Sequence, residues 1–96
     1  MDGAAIQQHL ELLQFDLARP LLVMKADKGI LGCGYINPET CNKTNEACAI
    51  VTGVNTFDDM RKAKVVSISN KAKELGVEVG DSGEIALQKM RWAVPI

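Results

Sequence analysis

Residues 47–60 read Ala-Cys-Ala-Ile-Val-Thr-Gly-Val-Asn-Thr-Phe-Asp-Asp-Met and decide the fold, because a strand, a turn and a helix start follow one another there. The uncharged apolar run 47–51 has the length of a strand that is buried on both faces. Gly53 can adopt a positive φ at no steric cost, so it suits a sharp turn after the strand. Thr56 is placed to cap a helix that begins at Phe57, with its apolar residues at helical spacing.

The residues after this helix predict a second strand and a parallel strand pair. Residues 65–69 read Val-Val-Ser-Ile-Ser, which is typical of a strand. The connection 53–64 contains the helix and is about the shortest that can join two parallel strands. We therefore expect strands 47–52 and 65–69 to be parallel neighbours joined by a right-handed crossover.

Three strands are predicted before residue 47. Residues 6–17 fit a helix or an alternating strand, and we favour a strand over about residues 10–17, partly because of the family resemblance given below. The apolar runs 20–24 and 30–36 are joined by Asp-Lys-Gly at 27–29, which predicts an antiparallel hairpin. Asn37 and Pro38 predict the start of a short helix.

The last third of the chain predicts two helices. Ser69 or Asn70 caps the first, which ends at Gly76 with Val77 contacting Ala72. Residues 77–79 are expected to add a short edge strand. Asp81 or Ser82 caps the second helix.

Together these elements predict an α+β fold: a single domain over residues 1–96, with a mixed sheet of about five strands in the order β-β-β-α-β-α-β-α-α. An antiparallel hairpin at the N-terminal side and one parallel βαβ unit make up the sheet. Residues 1–9 are expected to be frayed or irregular.

Composition excludes several classes of function. The chain has 96 residues, 47% of them hydrophobic, which suits one domain with an aliphatic core. Eleven basic and twelve acidic residues give a net charge of −1, so no nucleic acid partner is expected. No apolar segment reaches the ~20 residues that cross a bilayer, so no membrane partner is expected.

The cysteines and the first residues predict the compartment. Cys33, Cys41 and Cys48 are odd in number and lack C-x-x-C spacing, so we expect neither a disulfide framework nor a metal site. The chain starts without a basic segment or an apolar run of signal length. We expect a reduced, cytoplasmic protein without a cofactor.

Several local strings resemble the YunC-like family, small domains of unknown function found in archaea and bacilli. The strings are Pro20-Leu21-Leu22-Val23 through Lys28-Gly29, Cys33-Gly34-Tyr35, Ala49 to Val54 through Thr56 to Met60, and Glu74-Leu75-Gly76-Val77 through Gly80, Gly83 and Ala86-Leu87. The likeness covers roughly residues 10–90. It implies a compact α+β domain and no known reaction, and it transfers no catalytic residue.

Two sets of side chains are candidates for catalysis, and each also has a structural interpretation. Cys33 lies in the Cys-Gly-Tyr string and could act as a nucleophile, but no base or cation is close in sequence and free cysteines are commonly buried. The pairs Asp58/Asp59 and Asp81/Glu84 could act as acid and base. Each pair begins a helix, where capping is the favoured role.

A binding site follows from the expected parallel pair, because ligands of open α/β sheets bind outside the carboxyl ends of the strands. The helix start at Ser69, Asn70 and Lys71 has no acid in its first turn and suits an anion. Gly53 and Asn55 would form the opposite wall.

The main functional hypothesis is therefore a module that binds a small anionic metabolite and has an accessory or regulatory role. The first alternative is a thiol-dependent enzyme that uses Cys33. The second is a structural, homo-oligomeric interaction subunit. We expect the protein to form a homodimer whose interface contains Trp92 and residues 61–73.

Overall fold

The computed structural model describes residues 10–91 of the chain. Its elements, in chain order, are β1 (Glu11–Asp16), β2 (Pro20–Lys25), β3 (Gly29–Gly32), α1 (Pro38–Thr44), β4 (Ala47–Ile50), α2 (Phe57–Lys62), β5 (Ser67–Ile68), α3 (Asn70–Glu74) and α4 (Gly83–Met90). This order is the predicted one, and the strand interpretation of residues 10–17 is confirmed. The predictions for residues 1–9 and for Trp92 lie outside the described residues.

One five-stranded mixed sheet with the order β1-β2-β3-β4-β5 organises the domain. β1 pairs with β2 and β2 with β3 in antiparallel fashion, which confirms the predicted hairpin. β3 and β4 are parallel, with Gly29 opposite Ala47 and Gly32 opposite Ile50. α1 lies in the crossover between them, so the single parallel βαβ unit comprises β3, α1 and β4.

The prediction that strands 47–52 and 65–69 are parallel is wrong, since β5 runs antiparallel to β4. α2 has six residues and is only about 9 Å long, too short to return the chain to the start of β4. The chain therefore re-enters the sheet at the end it left, where the Val66 N–H donates to the Ile50 carbonyl at 2.8 Å.

β4 is buried on both faces, as the apolar run predicted. On one face Ala47, Ala49 and Val51 belong to the main core with buried side chains of α2, α3 and α4. On the other face Cys48 and Ile50 pack with Cys41 of α1. The described residues thus form one compact domain, with α1 on one face and the other helices opposite.

The helix ends follow the sequence closely. Asn37, Thr56, Ser69 and Ser82 are the N-caps, each accepting a hydrogen bond from a backbone N–H of the first turn. Gly76 has φ +93° after α3, and the Val77 N–H donates to the Ala72 carbonyl at 3.0 Å, as in a Schellman motif.

The predicted edge strand 77–79 does not form. The Glu78 N–H donates to the Asp81 carboxylate at 2.9 Å, and Gly80 has φ +99°, so these residues make a turn that leads into α4. None of the helices within residues 10–91 is long and apolar enough to cross a bilayer.

Candidate functional site

A cleft of about 330 Å³ lies where β3 and β4 end. Because the two strands are parallel, the segments that follow them, from Cys33 and from Val51, leave the sheet at the same edge. The hairpin turn between β1 and β2 supplies the remaining wall. The lining residues are Arg19, Pro20, Cys33, Gly34, Tyr35, Thr52, Gly53 and Val54.

Cys33 forms the inner part of the cleft, with 4% of the residue exposed. Its Sγ accepts a hydrogen bond from the Leu22 N–H at 3.4 Å and donates to the Pro20 carbonyl at 3.9 Å. It is the free cysteine among the described residues. These two contacts anchor the thiol against the start of β2.

The outer part of the cleft is polar and exposed. Tyr35 is 48% exposed, and Thr52 and Arg19 are also exposed. Within residues 10–91 the Arg19 guanidinium makes no hydrogen bond or ion pair. Two hydroxyl groups and a cation are thus free to contact a ligand.

Two glycines keep the cleft open. Gly53 has φ +71°, which a side chain would strain, and this confirms the turn predicted after β4. A Cβ atom on Gly34 would lie 3.5 Å from Cγ2 of Thr52 across the cleft, an ordinary contact distance. A methyl group would therefore fit at Gly34 and would narrow the space between the two walls.

The five residues predicted to bind an anion do not come together. Gly53 lines the cleft. Asn55 lies at the start of α2, where its N–H donates to the Asp59 carboxylate at 3.1 Å. Ser69 lies at the opposite end of β4, roughly 15–20 Å along the strand from Gly53.

Ser69 is committed to backbone contacts. Its hydroxyl accepts from the Cys48 N–H at 2.9 Å and donates to the Glu46 carbonyl at 2.8 Å, besides capping α3. The Asn70 N–H donates to the Asn42 side chain at 2.7 Å, and Lys71 lies 3.8 Å from Glu74. Anion binding at these residues stays a prediction, but the parallel geometry that motivated it is absent.

The predicted carboxylate pairs have structural partners. Asp59 donates its backbone N–H to the Thr56 hydroxyl at 3.0 Å, and Asp58 lies 3.5 Å from Lys62. Glu84 pairs with Arg61 at 2.8 Å. The Lys89 ammonium, at 2.8 Å, and the Glu78 N–H lower the pKa of Asp81 below its usual 3.8.

Cys41 and Cys48 form a disulfide, so the prediction that the chain has none is wrong. Cys41 is the buried residue of α1, and Cys48 faces α1 from β4, with a Cα–Cα distance of 6.3 Å. Counting cysteines could not show this, because the pair depends on which strand α1 covers.

Sequence reasoning missed Arg19, Tyr35 and Thr52. Tyr35 and Thr52 directly follow the two parallel strands, so the carboxyl-end rule would have found them if β3 and β4 had been identified as the parallel pair. Arg19 lies in a hairpin turn, and no sequence signal places it near Cys33.

Comparison with known proteins places the chain in a family. The sequence model described as "Domain of unknown function (DUF1805)" matches residues 32–90. "Uncharacterized protein YunC" of Bacillus subtilis (strain 168) is 35% identical over 68 residues, 67% of this chain and 67% of the relative. A crystal structure of a protein of unknown function, TA1206 from Thermoplasma acidophilum, is similar with a TM-score of 0.73 and 33% identity, covering 84% of this chain and 92% of that one.

The resemblance to YunC-like proteins is thereby confirmed, and the relatives have no stated activity. The matched range 32–90 includes the two cleft walls that follow β3 and β4 and excludes Arg19. The chain belongs to the DUF1805 family.

Proposed function

We propose that this protein binds a small anionic molecule in the cleft at the ends of β3 and β4, as an accessory or regulatory module. The observation that carries the proposal is the position of the cleft. It lies outside the carboxyl ends of the parallel pair, where ligands of α/β sheets bind.

The chemistry of the cleft favours an anion. Arg19 has no partner within the described residues, and a guanidinium binds carboxylates and phosphates through two parallel hydrogen bonds. The hydroxyl groups of Tyr35 and Thr52 add donors. A volume of about 330 Å³ is at the small end of ligand pockets, so the ligand has the size of a small metabolite.

A screen by thermal shift with phosphorylated and carboxylated small metabolites tests the proposal, followed by calorimetry on each compound that stabilises the protein. Arg19→Gln should weaken binding about tenfold or more, the usual effect of losing a charge-assisted hydrogen bond. Lys71→Gln is the matched control, because it removes a cation at the far end of β4, and it should change the Kd less than twofold.

Compounds that bind Arg19→Gln as well as the wild type would contradict this placement. If binding were instead lost in Lys71→Gln or Asn70→Ala, the site would lie at the start of α3.

The second candidate function is thiol chemistry at Cys33, which the free thiol at the inner end of the cleft favours. Among residues 10–91, those that line the cleft include no histidine, lysine or carboxylate that could take the thiol proton. Binding therefore has more support than catalysis. Labelling with iodoacetamide between pH 6 and 9 tests this candidate, and an unreactive Cys33 below pH 8 in the folded protein would exclude it.

We also propose that the protein is located in the cytoplasm, which is the location that the sequence predicts. Cytoplasmic thiols are kept reduced in most organisms, so in the cell the Cys41–Cys48 disulfide described above would be reduced to two thiols. Alkylation at the moment of lysis of the native host, followed by mass spectrometry, tests this. Finding the Cys41–Cys48 disulfide in most molecules would point to an oxidising compartment.

A further inference from the structure

We propose that β1 pairs with β1 of a second copy, in antiparallel fashion about Gln14, so that two five-stranded sheets become one. β1 is an edge strand of the sheet and all six of its residues are exposed. Its outer side therefore carries backbone donors and acceptors that can form another ladder.

The side chains of this edge favour association. Leu12, Leu13, Phe15 and Leu17 are each between 46% and 55% exposed. β1 contains no lysine or proline, the residues that commonly protect an edge strand from pairing. Four large apolar side chains within six positions make this the densest exposed apolar segment among residues 10–91.

The strand register shows which of these side chains share a face. Leu13 is opposite Val23 and Phe15 is opposite Leu21, so Leu13 and Phe15 lie on the face that α1 covers farther along the sheet. Leu12 is opposite Met24 and lies on the face of the main core. α1 packs on β4, three strands away from β1. Within the described residues this end of the face has no covering element.

Twofold symmetry restricts how two copies of β1 can pair, because each residue must lie opposite a residue of the other copy whose side chain is on the same face of the sheet. Pairing about Gln14 uses the strand residues 12–16 of both copies. It places Leu13 opposite Phe15 twice, and such pairs stabilise antiparallel strands. Glu11 and Asp16 of one copy then face Leu17 and Leu12 of the other, so no two carboxylates oppose each other.

The area involved predicts a weak dimer. Half-exposed leucine and phenylalanine side chains contribute roughly 300–400 Å² per copy, about half of a standard interface. We therefore expect a Kd in the micromolar range, with monomers at nanomolar concentration. A second copy brings the same exposed apolar strand and the same open edge, so each copy supplies what the other lacks.

Sedimentation equilibrium of the full chain between 1 and 200 µM measures the dimer. The double variant Leu13→Lys/Phe15→Lys should raise the Kd at least 50-fold, with an unchanged circular dichroism spectrum because both sites are exposed. Val79→Lys is the matched control, since Val79 is 60% exposed and lies far from β1. The Kd of the dimer of this variant should stay within twofold of the wild-type value.

Cross-linking tests the register. In Gln14→Cys the two copies of residue 14 would be opposite each other, within the Cα distance of a disulfide, and mild oxidation should yield a covalent dimer. In Glu11→Cys the two thiols would be roughly 20 Å apart and should not cross-link. Wild-type protein oxidised in the same way shows how much covalent dimer its own three cysteines form.

A monomer at 200 µM overturns the proposal, as does a dimer that the double lysine variant leaves intact. Cross-linking of Glu11→Cys in preference to Gln14→Cys contradicts the register. If hydrogen exchange shows the outer amides of β1 protected at a concentration where the chain is monomeric, a segment of the same chain covers the edge and the proposal is wrong.

Discussion

The absence of a side chain at Gly83 allows α4 to pack closely against α2. A Cβ atom there would lie 1.9 Å from the carbonyl oxygen of Met60, at the end of the core where α2 contacts α4. Gly83→Ala should therefore lower the free energy of unfolding by about 3 kcal/mol or more, because backbone has to move to admit the methyl group. Urea denaturation measures the change.

Gly34→Ala is the matched control for Gly83→Ala, because a methyl group at Gly34 has room. It should change the free energy of unfolding by less than about 1 kcal/mol. The same variant should weaken ligand binding, since the methyl group narrows the cleft. Equal stability losses in the two variants would show that the packing at Gly83 is not as close as described.

Asp81 is expected to make stability depend on pH in the acid range. The hydrogen bonds from Lys89 and from the Glu78 N–H hold its pKa in the folded state below 3.8. The stabilisation from the ionised carboxylate is thus complete above about pH 4, where the unfolded chain is also ionised. It is lost as the pH falls through the lowered folded-state pKa.

Urea denaturation of the wild type and of Asp81→Asn at a series of pH values checks this. The difference in free energy of unfolding between them should be constant at neutral pH and shrink as the pH falls below about 4. Lys89→Met removes the largest cause of the lowered pKa and should reduce this pH dependence. A difference that grows towards low pH would contradict the assignment.

At the scale of elements, the Cys41–Cys48 disulfide joins α1 to β4. Closing a loop of seven residues is expected to stabilise the fold by about 2–3 kcal/mol through the entropy of the unfolded chain. A reducing agent should therefore lower the midpoint of urea denaturation. Cys41→Ala should lower the midpoint similarly and should no longer respond to reduction.

Alkylation of the unfolded protein checks the same bond by mass. Without reduction one cysteine, Cys33, should be modified, and after reduction all three should be. Modification of three cysteines before reduction would show that the disulfide is absent.

Local sequence signals predicted the elements well because the interactions that set them are local. Asn37, Thr56 and Ser69 cap their helices through their own side chains, and Gly53 and Gly76 take the positive φ values expected of them. The direction of β5 cannot be predicted from local sequence signals. It depends on the length of α2, and connection 53–64 is compatible with either direction.

The wrong direction predicted for β5 also determined where the binding site was predicted. The carboxyl-end rule was applied to strands 47–52 and 65–69, whereas the parallel pair is β3 and β4. Gly53 is at the edge where the cleft lies, because β4 belongs to both pairs. Ser69, Asn70 and Lys71 lie at the other end of the sheet. Cys33, which the sequence indicates either as a buried structural thiol or as the nucleophile of the alternative function, lines the cleft.

At the scale of the whole molecule, the two ends of β4 differ in structure. The end that contacts Ser69 is tied to α3 by the buried hydroxyl, which has three hydrogen bonds. The end that leads to Thr52 and Gly53 opens into the cleft. Ligand binding should therefore perturb one end of the sheet and leave the other unchanged.

Titration of the isotope-labelled protein by NMR tests this claim most directly, with inorganic phosphate and succinate as probes. The account predicts saturable shifts of the amide signals of Gly34, Thr52 and Gly53, absent in Arg19→Gln, with the signals of residues 69–71 unmoved. Saturable shifts at residues 69–71 without shifts in the cleft would contradict it.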